Sequence, residues 1–252
     1  MSKTAWCTGA GKGIGRAVVL KLARQGFRVA ASARSSEDLK ALADEAREFG
    51  GTIAPFPVDV TDDSAMRDAS ARIEDRLGPL DLVILNAGTH IPDSAANISV
   101  ETVRTLVETN LMGTVHGLAA VLPRMMERGR GRIAVVSSVA GYRGLPGAAG
   151  YGATKAALIN LCEALKPELD RAGVDLKLIN PGFVKTPLTD RNDFPMPFLM
   201  EVDTAAERIV RGLASSRFEV TFPRRFTWML EVLRMLPYGL YFALTRRLVR
   251  SP

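Results

Sequence analysis

Short apolar runs that are rich in β-branched residues alternate with longer segments of helical periodicity along most of the chain. Strands joined by helical crossovers pair in parallel, and right-handed crossovers require helices on both faces of the sheet. The alternation therefore predicts an α/β fold built on a mostly parallel sheet. The predicted strands span residues 3–8, 27–33, 52–58, 81–86, 132–137, 175–180 and 218–222. The predicted helices span residues 13–25, 36–49, 62–77, 99–128, 150–172 and 201–214.

The predicted third strand contains two prolines, so we expect it to be shorter or more irregular than its boundaries suggest. No repeat, low-complexity tract or linker divides the sequence, and 252 residues that are 47% hydrophobic can bury an ample core. These observations predict a single domain over residues 1–252.

Cysteine and histidine are scarce in this chain. Cys7 and Cys162 are far apart and have no metal-binding spacing, so we expect two reduced thiols packed as apolar side chains in a reducing compartment. The two histidines leave little material for a metal site or a serine–histidine triad, and no metal is predicted. The first residues lack a charged leader with an apolar stretch, so no secretory signal is expected and the predicted location is cytoplasmic.

A glycine-rich stretch, TGAGKGIG over residues 8–15, stands between the first predicted strand and the first predicted helix. Glycines let a backbone turn tightly beside a pyrophosphate, and the helix N-terminus supplies N–H groups and positive potential. The spacing is not that of a Walker motif, which argues against hydrolysis of nucleoside triphosphates. We expect dinucleotide contacts from Gly9, Lys12, Gly13, Ile14 and Gly15.

The residues after the second strand indicate which dinucleotide binds. An NAD site usually has an acid at this position to bind the ribose hydroxyls. Here the strand is followed by Arg34, and no acid occurs before Glu37. An arginine fork suits a 2′-phosphate, and Lys12 could add a second cation, so we expect NADP(H) to be preferred over NAD(H). The alternative is that both cations are solvated surface charges.

Seven motifs in order and at matching spacing resemble those of the short-chain dehydrogenase/reductase family, over residues 3–190. They are TGAGKGIG (8–15), DV (59–60), NAG (86–88), Asn110, SS (137–138), YGATK (151–155) and PGFVKT (181–186). The resemblance implies a doubly wound, seven-stranded Rossmann sheet. It also implies cofactor contacts from Asp59 and Val60 beside the adenine, from Asn86, Ala87 and Gly88, and from Pro181, Gly182, Val184 and Thr186 near the nicotinamide.

Tyr151 and Lys155 are four residues apart and therefore share one helix face. The lysine charge stabilises a tyrosinate, and lowering a phenol pKa from about 10 to neutrality requires roughly 4 kcal/mol. Tyr151 would then exchange a proton with a carbonyl or alcohol oxygen. The resemblance adds Ser138 as a partner of the substrate oxygen, Lys155 as a ligand of the nicotinamide ribose, and Asn110 as a helix break that holds a proton-relaying water.

Taken singly, each of these residues also has an ordinary structural interpretation. Ser137 and Ser138 could cap the end of a strand, Asn110 could kink a helix, and Tyr151 could be a half-buried aromatic residue. Residues 187–216 resemble the family's substrate lid, and the apolar residues Phe194, Met196, Phe198 and Leu199 would face an apolar substrate or else cover an exposed edge of the domain.

The C-terminal extension, residues 223–252, is basic and apolar. The net charge of the chain is +6, and the last 36 residues hold seven arginines against two glutamates. Three interpretations remain open: packing against its own domain or a sister subunit, a peripheral membrane contact with Trp228, Tyr238 and Tyr241 at the interface, or a cover for the substrate mouth. The remainder is nearly neutral, so no nucleic-acid binding is expected.

The sequence therefore predicts an NADPH-dependent carbonyl reductase, or the reverse secondary-alcohol dehydrogenase, for a lipophilic small molecule. One alternative is a 3-oxoacyl reductase that acts on carrier-bound substrates, for which Arg143 or Arg191 could supply a cationic contact. Another is a dinucleotide-binding regulator without catalysis. By resemblance, helices within 99–128 and 150–172 form the subunit interfaces of a homodimer or homotetramer.

Overall fold

A computed structural model of the chain describes residues 2–191 and 196–248. It contains one seven-stranded sheet, and each pair of neighbouring strands is parallel, in the order β3-β2-β1-β4-β5-β6-β7. The strands are β1 Thr4–Thr8, β2 Arg28–Ser32, β3 Thr52–Pro55, β4 Leu80–Leu85, β5 Gly131–Val136, β6 Val174–Pro181 and β7 Glu219–Phe222. This confirms the doubly wound α/β fold.

Helices cover both faces of the sheet. They are α1 Gly13–Arg24, α2 Ser36–Arg47, α3 Asp63–Leu77, α4 Val100–Leu106, α5 Gly113–Arg128, α6 Ala149–Arg171, α7 Val202–Leu213, α8 Arg224–Met235 and α9 Tyr238–Thr245. Short 3₁₀ turns occupy Val139–Gly141, Thr189–Arg191 and Arg246–Leu248. Two buried apolar clusters fill the space between the sheet and the two helical layers.

Side chains alternate between the two clusters along each strand. In β1, Trp6 packs into one cluster, while Ala5 and Cys7 pack into the other. Cys162 is also buried, and both thiols are reduced. Burial raises the pKa of each thiol to about 12, so both stay protonated at neutral pH.

Two predicted elements differ from the structure for physical reasons. Strand β3 is shorter than predicted and ends at Pro55, as its two prolines led us to expect; the Phe56 and Val58 N–H groups still donate to the Ala31 and Ala33 carbonyl oxygens, at 2.9 and 3.2 Å. The single helix predicted over 99–128 is divided, since a π-helical turn at Val107–Met112 separates α4 from α5. π-Turns of this kind are frequent at functional sites.

Candidate active site

The carboxyl ends of the central strands meet at one edge of the sheet. The strand order reverses between β1 and β4, and open α/β sheets bind ligands at such a switch point. The glycine-rich turn follows β1 at this edge, the Asn86–Gly88 segment follows β4, Ser138 follows β5 and Gly182 follows β6. The fold thus brings most of the predicted site residues into one neighbourhood.

The glycine turn packs so tightly that side chains are excluded. Gly9 has a positive φ of 65°, and an added Cβ would lie 2.8 Å from the Ala87 Cα atom. A Cβ at Gly15 would lie 2.4 Å from the Gly9 carbonyl oxygen. The Asn86 amide fixes the turn by donating hydrogen bonds to the carbonyl oxygens of Thr8 and Gly9, at 3.0 and 3.2 Å.

A nicotinamide dinucleotide fits this cradle. Helix α1 begins at Gly13 with no side-chain cap and no acid in its first turn among the described residues, so its first N–H groups can receive a pyrophosphate. A Cβ at Gly13 would contact Thr186 at 3.2 Å, which shows that the loop after β6 lies against the turn. Ile14, between the two glycines, is half-buried against the core.

The corner between β1 and β2 holds both cations of the cofactor prediction and one acid that sequence reasoning missed. Ala10 donates a backbone hydrogen bond to Ser32 at 2.9 Å, which brings the glycine turn to the end of β2. Lys12 lies 3.4 Å from the Asp38 carboxylate, and Arg34 is exposed. The acid lies six residues after the end of β2 rather than at its end, on the first turn of α2.

The segment after β3 forms a polar turn at the same edge. The Asp59 carboxylate accepts hydrogen bonds from the backbone N–H and the hydroxyl of Thr61, at 3.0 and 2.9 Å. Val60 is buried, and its carbonyl oxygen lies 2.9 Å from Nδ1 of His116 on α5. A Cβ at Gly113 would lie 2.7 Å from the Val60 side chain, so the start of α5 is close-packed on this turn.

Lys155 is almost completely buried on α6, beneath the predicted catalytic tyrosine. Its Nζ donates to the Val136 carbonyl oxygen at 3.0 Å and lies 5.6 Å from the centroid of the Tyr151 ring. Burial lowers the pKa of Lys155 to about 8. A Cβ at Gly88 would lie 3.5 Å from the same Nζ atom, so the segment after β4 also borders the lysine.

Tyr151 differs from the sequence prediction in the direction of its pKa shift. Its partial burial raises the pKa of the phenol, while a hydrogen bond with the Ser138 hydroxyl acts in the opposite direction. The predicted lowering of this pKa by Lys155 is absent in the protein alone. The Lys155 ammonium group is hydrogen-bonded to the Val136 carbonyl oxygen, and its Nζ atom lies 5.6 Å from the centroid of the Tyr151 ring. The phenol is therefore held protonated, as a general acid must be.

His90 was not singled out by the sequence, although it contacts the same tyrosine. The imidazole is buried, and its ring centroid lies 4.8 Å from that of Tyr151 in an edge-to-face arrangement. It follows β4 by five residues, and only the fold brings it to the first turn of α6.

The hydroxyl groups of Ser137 and Ser138, which follow β5, form hydrogen bonds with neighbouring segments. Ser138 Oγ accepts a hydrogen bond from the Ala140 N–H at 3.1 Å and lies 3.5 Å from the Pro181 carbonyl oxygen. Ser138 therefore caps the 3₁₀ turn at Val139–Gly141 rather than the end of the strand, and it also has a hydrogen bond with Tyr151. Ser137 donates to the Lys155 carbonyl oxygen at 2.8 Å, which anchors α6 to β5.

Asn110 lies within the π-turn, and its side chain is fully buried. Its Oδ1 accepts from the Thr89 N–H at 2.7 Å, and its Nδ2 donates to the Thr89 carbonyl oxygen and to the Thr154 hydroxyl. The predicted helix break is confirmed. The amide joins the segment after β4 to α6, one residue before Lys155.

Asp93 is a second acid that sequence reasoning missed. It is only 3% exposed, and its two carboxylate oxygens accept from the backbone N–H groups of Ala149 and Gly150, at 2.7 and 2.6 Å. Helix α6 starts after Ala148, which cannot cap it, so a carboxylate from the loop after β4 provides the cap instead. Tyr151 is the next residue on this helix.

The loop after β6 runs from the sheet edge to the lid region. Gly182 donates to the Phe222 carbonyl oxygen at 2.7 Å, and Val184 forms an isolated parallel bridge with Met200. The backbone N–H of Thr186 donates to the Thr189 hydroxyl at 3.0 Å.

The predicted lid residues are only partly described. Met196 is half-buried, whereas Phe198 and Leu199 are 46% and 45% exposed. The Phe198 ring lies 6.0 Å from that of Phe226 on α8, which links the lid region to the C-terminal extension. Phe194 lies outside the described residues.

Residues 3–194 match the family model for short chain dehydrogenases. The chain belongs to this family. It is 43% identical to an uncharacterised oxidoreductase of Myxococcus xanthus, over 98% of this chain and 97% of the relative. It is also 32% identical to the ketoacyl reductase HetN of Nostoc sp., over 86% of this chain and 77% of that protein. The short-chain dehydrogenase is therefore an NAD(P)-dependent oxidoreductase that acts on CH–OH or C=O groups.

A solved structure of the actinorhodin polyketide ketoreductase with NADPH superimposes with a TM-score of 0.80. It is 29% identical in sequence, and the alignment covers 88% of this chain and 95% of that one. The similarity supports the same fold for the short-chain dehydrogenase described here.

Proposed function

We propose that the protein is an NADPH-dependent carbonyl reductase for a lipophilic small molecule, and that the reverse reaction oxidises a secondary alcohol. One observation carries this proposal. A protonated tyrosine hydroxyl at Tyr151 shares the cofactor edge of the sheet with the Ser138 hydroxyl and with a buried lysine, Lys155. The three side chains supply a proton for the substrate, a hydrogen-bond donor for its oxygen and a positive charge at one place.

The bound dinucleotide supplies the hydride for the carbonyl carbon. Tyr151 then donates its proton to the carbonyl oxygen, and its raised pKa in the folded chain keeps that proton available at neutral pH. Ser138 hydrogen-bonds the same oxygen and stabilises the negative charge that develops on it. Lys155 stabilises the tyrosinate that remains, and the Asn110 amide holds the adjoining backbone for the water that returns the proton.

The cofactor roles proposed for individual residues follow the resemblance to the family. The glycine turn, with Gly9, Gly13, Ile14 and Gly15, binds the pyrophosphate at the start of α1. Asp59 and Val60 border the adenine, Asn86, Ala87 and Gly88 support the cofactor from the end of β4, and Lys155 binds the nicotinamide ribose. Pro181, Gly182, Val184 and Thr186 line the nicotinamide side.

We propose that NADP(H) is preferred, because Lys12 and Arg34 lie at the corner where the adenosine ribose would bind. Asp38 opposes this preference, since its carboxylate pairs with Lys12 and would repel a 2′-phosphate or bind an unphosphorylated ribose. The comparison of kcat/KM with NADPH and with NADH tests this part of the proposal. Equal values for the two cofactors would contradict it.

Reduction of a 3-oxoacyl group is the second candidate, and two relatives favour it by their names, ketoacyl reductase and polyketide ketoreductase. The structure argues against Arg143 as a contact for an acyl carrier, because its guanidinium group is already bound to three carbonyl oxygens at the end of α8. The side chain of Arg191 lies outside the described part of the chain. Turnover of one 3-oxoacyl chain as a small thioester and on an acyl carrier protein distinguishes the two candidates.

If the carrier-bound form has the higher kcat/KM, the second candidate is correct, and if the small thioester or an unrelated lipophilic ketone is preferred, the first is correct. A panel of carbonyl compounds, with NADPH consumption as the readout, identifies the substrate class. The regulator without catalysis is not supported, since the family match makes the chain an oxidoreductase.

We further propose that the protein is a cytoplasmic homodimer or homotetramer whose subunits meet through α4, α5 and α6. Light scattering coupled to size exclusion measures the mass, and a monomer at micromolar concentration would contradict this proposal. We also propose that the C-terminal extension allows the protein to make a peripheral contact with a membrane.

A further inference from the structure

The C-terminal helices leave an unusual number of large apolar side chains exposed. Their exposed fractions are 65% for Trp228, 53% for Met229, 77% for Met235, 72% for Tyr238, 53% for Leu240, 48% for Phe242 and 43% for Leu244. Scattered apolar residues are normal on a protein surface, but a contiguous group within some 20 residues marks a binding surface. We call the exposed sides of α8 and α9 the C-terminal face.

Helix α8 has two different sides. Phe226 and Thr227 are buried and fix it to the domain, whereas Trp228 and Met235, seven residues apart, share the outward side. Two arginines, 224 and 225, occupy the first turn of the same helix and are exposed. The outward side of α8 thus combines apolar and cationic groups.

Helix α9 continues this arrangement. Only Tyr241 and Thr245 are buried, while its other large side chains are apolar and exposed. Arg246 and Arg247 follow it and are also exposed. An apolar cavity of about 440 Å³ lies between α9 and the loop at Gly144, with Arg246 among its lining residues.

The C-terminal extension is bound to the loop that precedes α6. Arg143, in the loop before α6, donates to the carbonyl oxygens of Leu233, Arg234 and Leu236, at 2.8, 2.9 and 2.7 Å. Its guanidinium group also lies 3.9 Å from the centroid of the Tyr241 ring. The loop before α6 therefore binds the extension through Arg143 and leads directly into the helix of the catalytic tyrosine.

We propose that the C-terminal face binds the surface of an anionic lipid bilayer without crossing it. No helix among the described residues is long and apolar enough to span a membrane, but short amphipathic helices can lie in the plane of the interface. Aromatic side chains favour the headgroup level, and arginines there attract anionic lipids. This contact would present the substrate side of the enzyme to lipophilic compounds dissolved in the bilayer.

The charge of the C-terminal face favours a membrane over a second copy of the chain as its binding partner. Residues 224–247 carry five arginines and one glutamate. A two-fold contact would place the same basic surface on both sides of the interface, where like charges repel. Anionic headgroups neutralise those charges, and the acyl region accepts the apolar side chains.

The test uses the full chain and sedimentation with vesicles of phosphatidylcholine that contain, or lack, phosphatidylglycerol. The charge variant combines Arg224→Gln with Arg225→Gln, and its matched control combines Arg72→Gln with Arg208→Gln, which remove two exposed arginines from other helices. Each arginine near an anionic surface contributes about fivefold in affinity, so we expect the charge variant to bind roughly 30-fold more weakly.

The apolar variant combines Trp228→Ser with Met235→Ser, and its control is Ile98→Ser, which removes a side chain that is 64% exposed outside the C-terminal face. We expect the apolar variant to lose at least about tenfold in affinity, since each substitution removes a large apolar side chain from the contact. Binding should also weaken as salt is raised. NADPH binding and turnover of a soluble carbonyl compound should be retained in all four variants, which shows that they fold.

The proposal is supported if the wild type and both controls bind anionic vesicles and the two surface variants do not. It is overturned if the wild type binds no vesicle, or if the surface variants bind as the wild type does. It is also overturned if the apolar variant dissociates an oligomer that does not bind vesicles, because a second copy is then the occupant. None of these outcomes depends on which carbonyl compound is the substrate.

Discussion

Removal of the Asp93 carboxylate should weaken both the fold and the chemical step. Its two oxygens accept from the Ala149 and Gly150 N–H groups in a nearly water-free site. A hydrogen bond to a charged group contributes about 1.5–3 kcal/mol, so Asp93→Ala should cost about 3–6 kcal/mol of unfolding free energy. At roughly 2–4 °C per kcal/mol for a chain of this size, Tm should fall by at least about 6 °C.

The effect on catalysis follows from the position of Tyr151, which is the residue after Gly150. A displacement of about 1 Å in a reacting group can cost roughly 100-fold in rate, so kcat should fall by about 10–100-fold. The KM for NADPH should change less than kcat, because the glycine turn is on a different element and Lys155 lies one turn further along α6 than Tyr151. Asp93→Asn keeps one oxygen acceptor and should lose about half as much stability.

The assay combines thermal unfolding with steady-state kinetics well below the Tm of every variant. Asp81→Ala is the matched control, since its half-buried carboxylate accepts one backbone hydrogen bond, from the Thr4 N–H at 2.9 Å, far from the site. It should lower Tm and leave kcat unchanged. If Asp93→Ala has the kcat of the wild type, or if its kcat falls no more than that of Asp81→Ala, the positioning role is refuted.

Three further predictions concern the cofactor edge and Lys155. Replacing both Lys12 and Arg34 by alanine should lower kcat/KM with NADPH by at least about tenfold while NADH kinetics stay the same, and an equal loss with both cofactors would contradict a 2′-phosphate contact. Gly15→Ala should weaken NADPH binding by about 5- to 150-fold, because overpacking costs about 1–3 kcal/mol. Gly239→Ala is the control, since an added Cβ there meets open space. If both variants bind NADPH with the same affinity, the turn tolerates a side chain and the prediction is wrong. The Lys155 pKa of about 8 lies below its ordinary value of 10.5, so at this residue the unfolded chain binds more protons between these values, and Lys155 should contribute about 2–3 kcal/mol more stability at pH 10 than at pH 8. Lys155→Met should lack this gain in urea unfolding, whereas an identical pH dependence in both proteins would mean that the lysine is not buried as a proton-sensitive group.

The elements of this fold could be predicted because their signals are local. Each strand is a short apolar run, and the glycine turn lies between a strand and a helix within eight residues. The short length of β3 could also be predicted, because its segment contains two prolines. The π-turn at Asn110 could be expected as a break, but its hydrogen bonds to Thr89 and Thr154 depend on the packing of three segments.

The missed residues act across long stretches of sequence. Asp93 caps a helix that begins 56 residues later, and Arg143 binds carbonyl groups about 90 residues away. No local pattern marks such partners, although the absence of a capping residue before α6 is a signal that a cap must come from elsewhere. In the chain without its cofactor the pKa of Tyr151 is raised rather than lowered, because spacing gives the presence of a lysine but not the burial of the phenol.

The central claim is that the Tyr151 hydroxyl supplies the proton for carbonyl reduction, and Tyr151→Phe tests it most directly. NADPH consumption with the best carbonyl substrate should fall by about 100- to 10,000-fold, the range of general acid catalysis, while NADPH binding by fluorescence titration stays the same. If the phenylalanine variant turns over at the wild-type rate, the account of this active site is wrong.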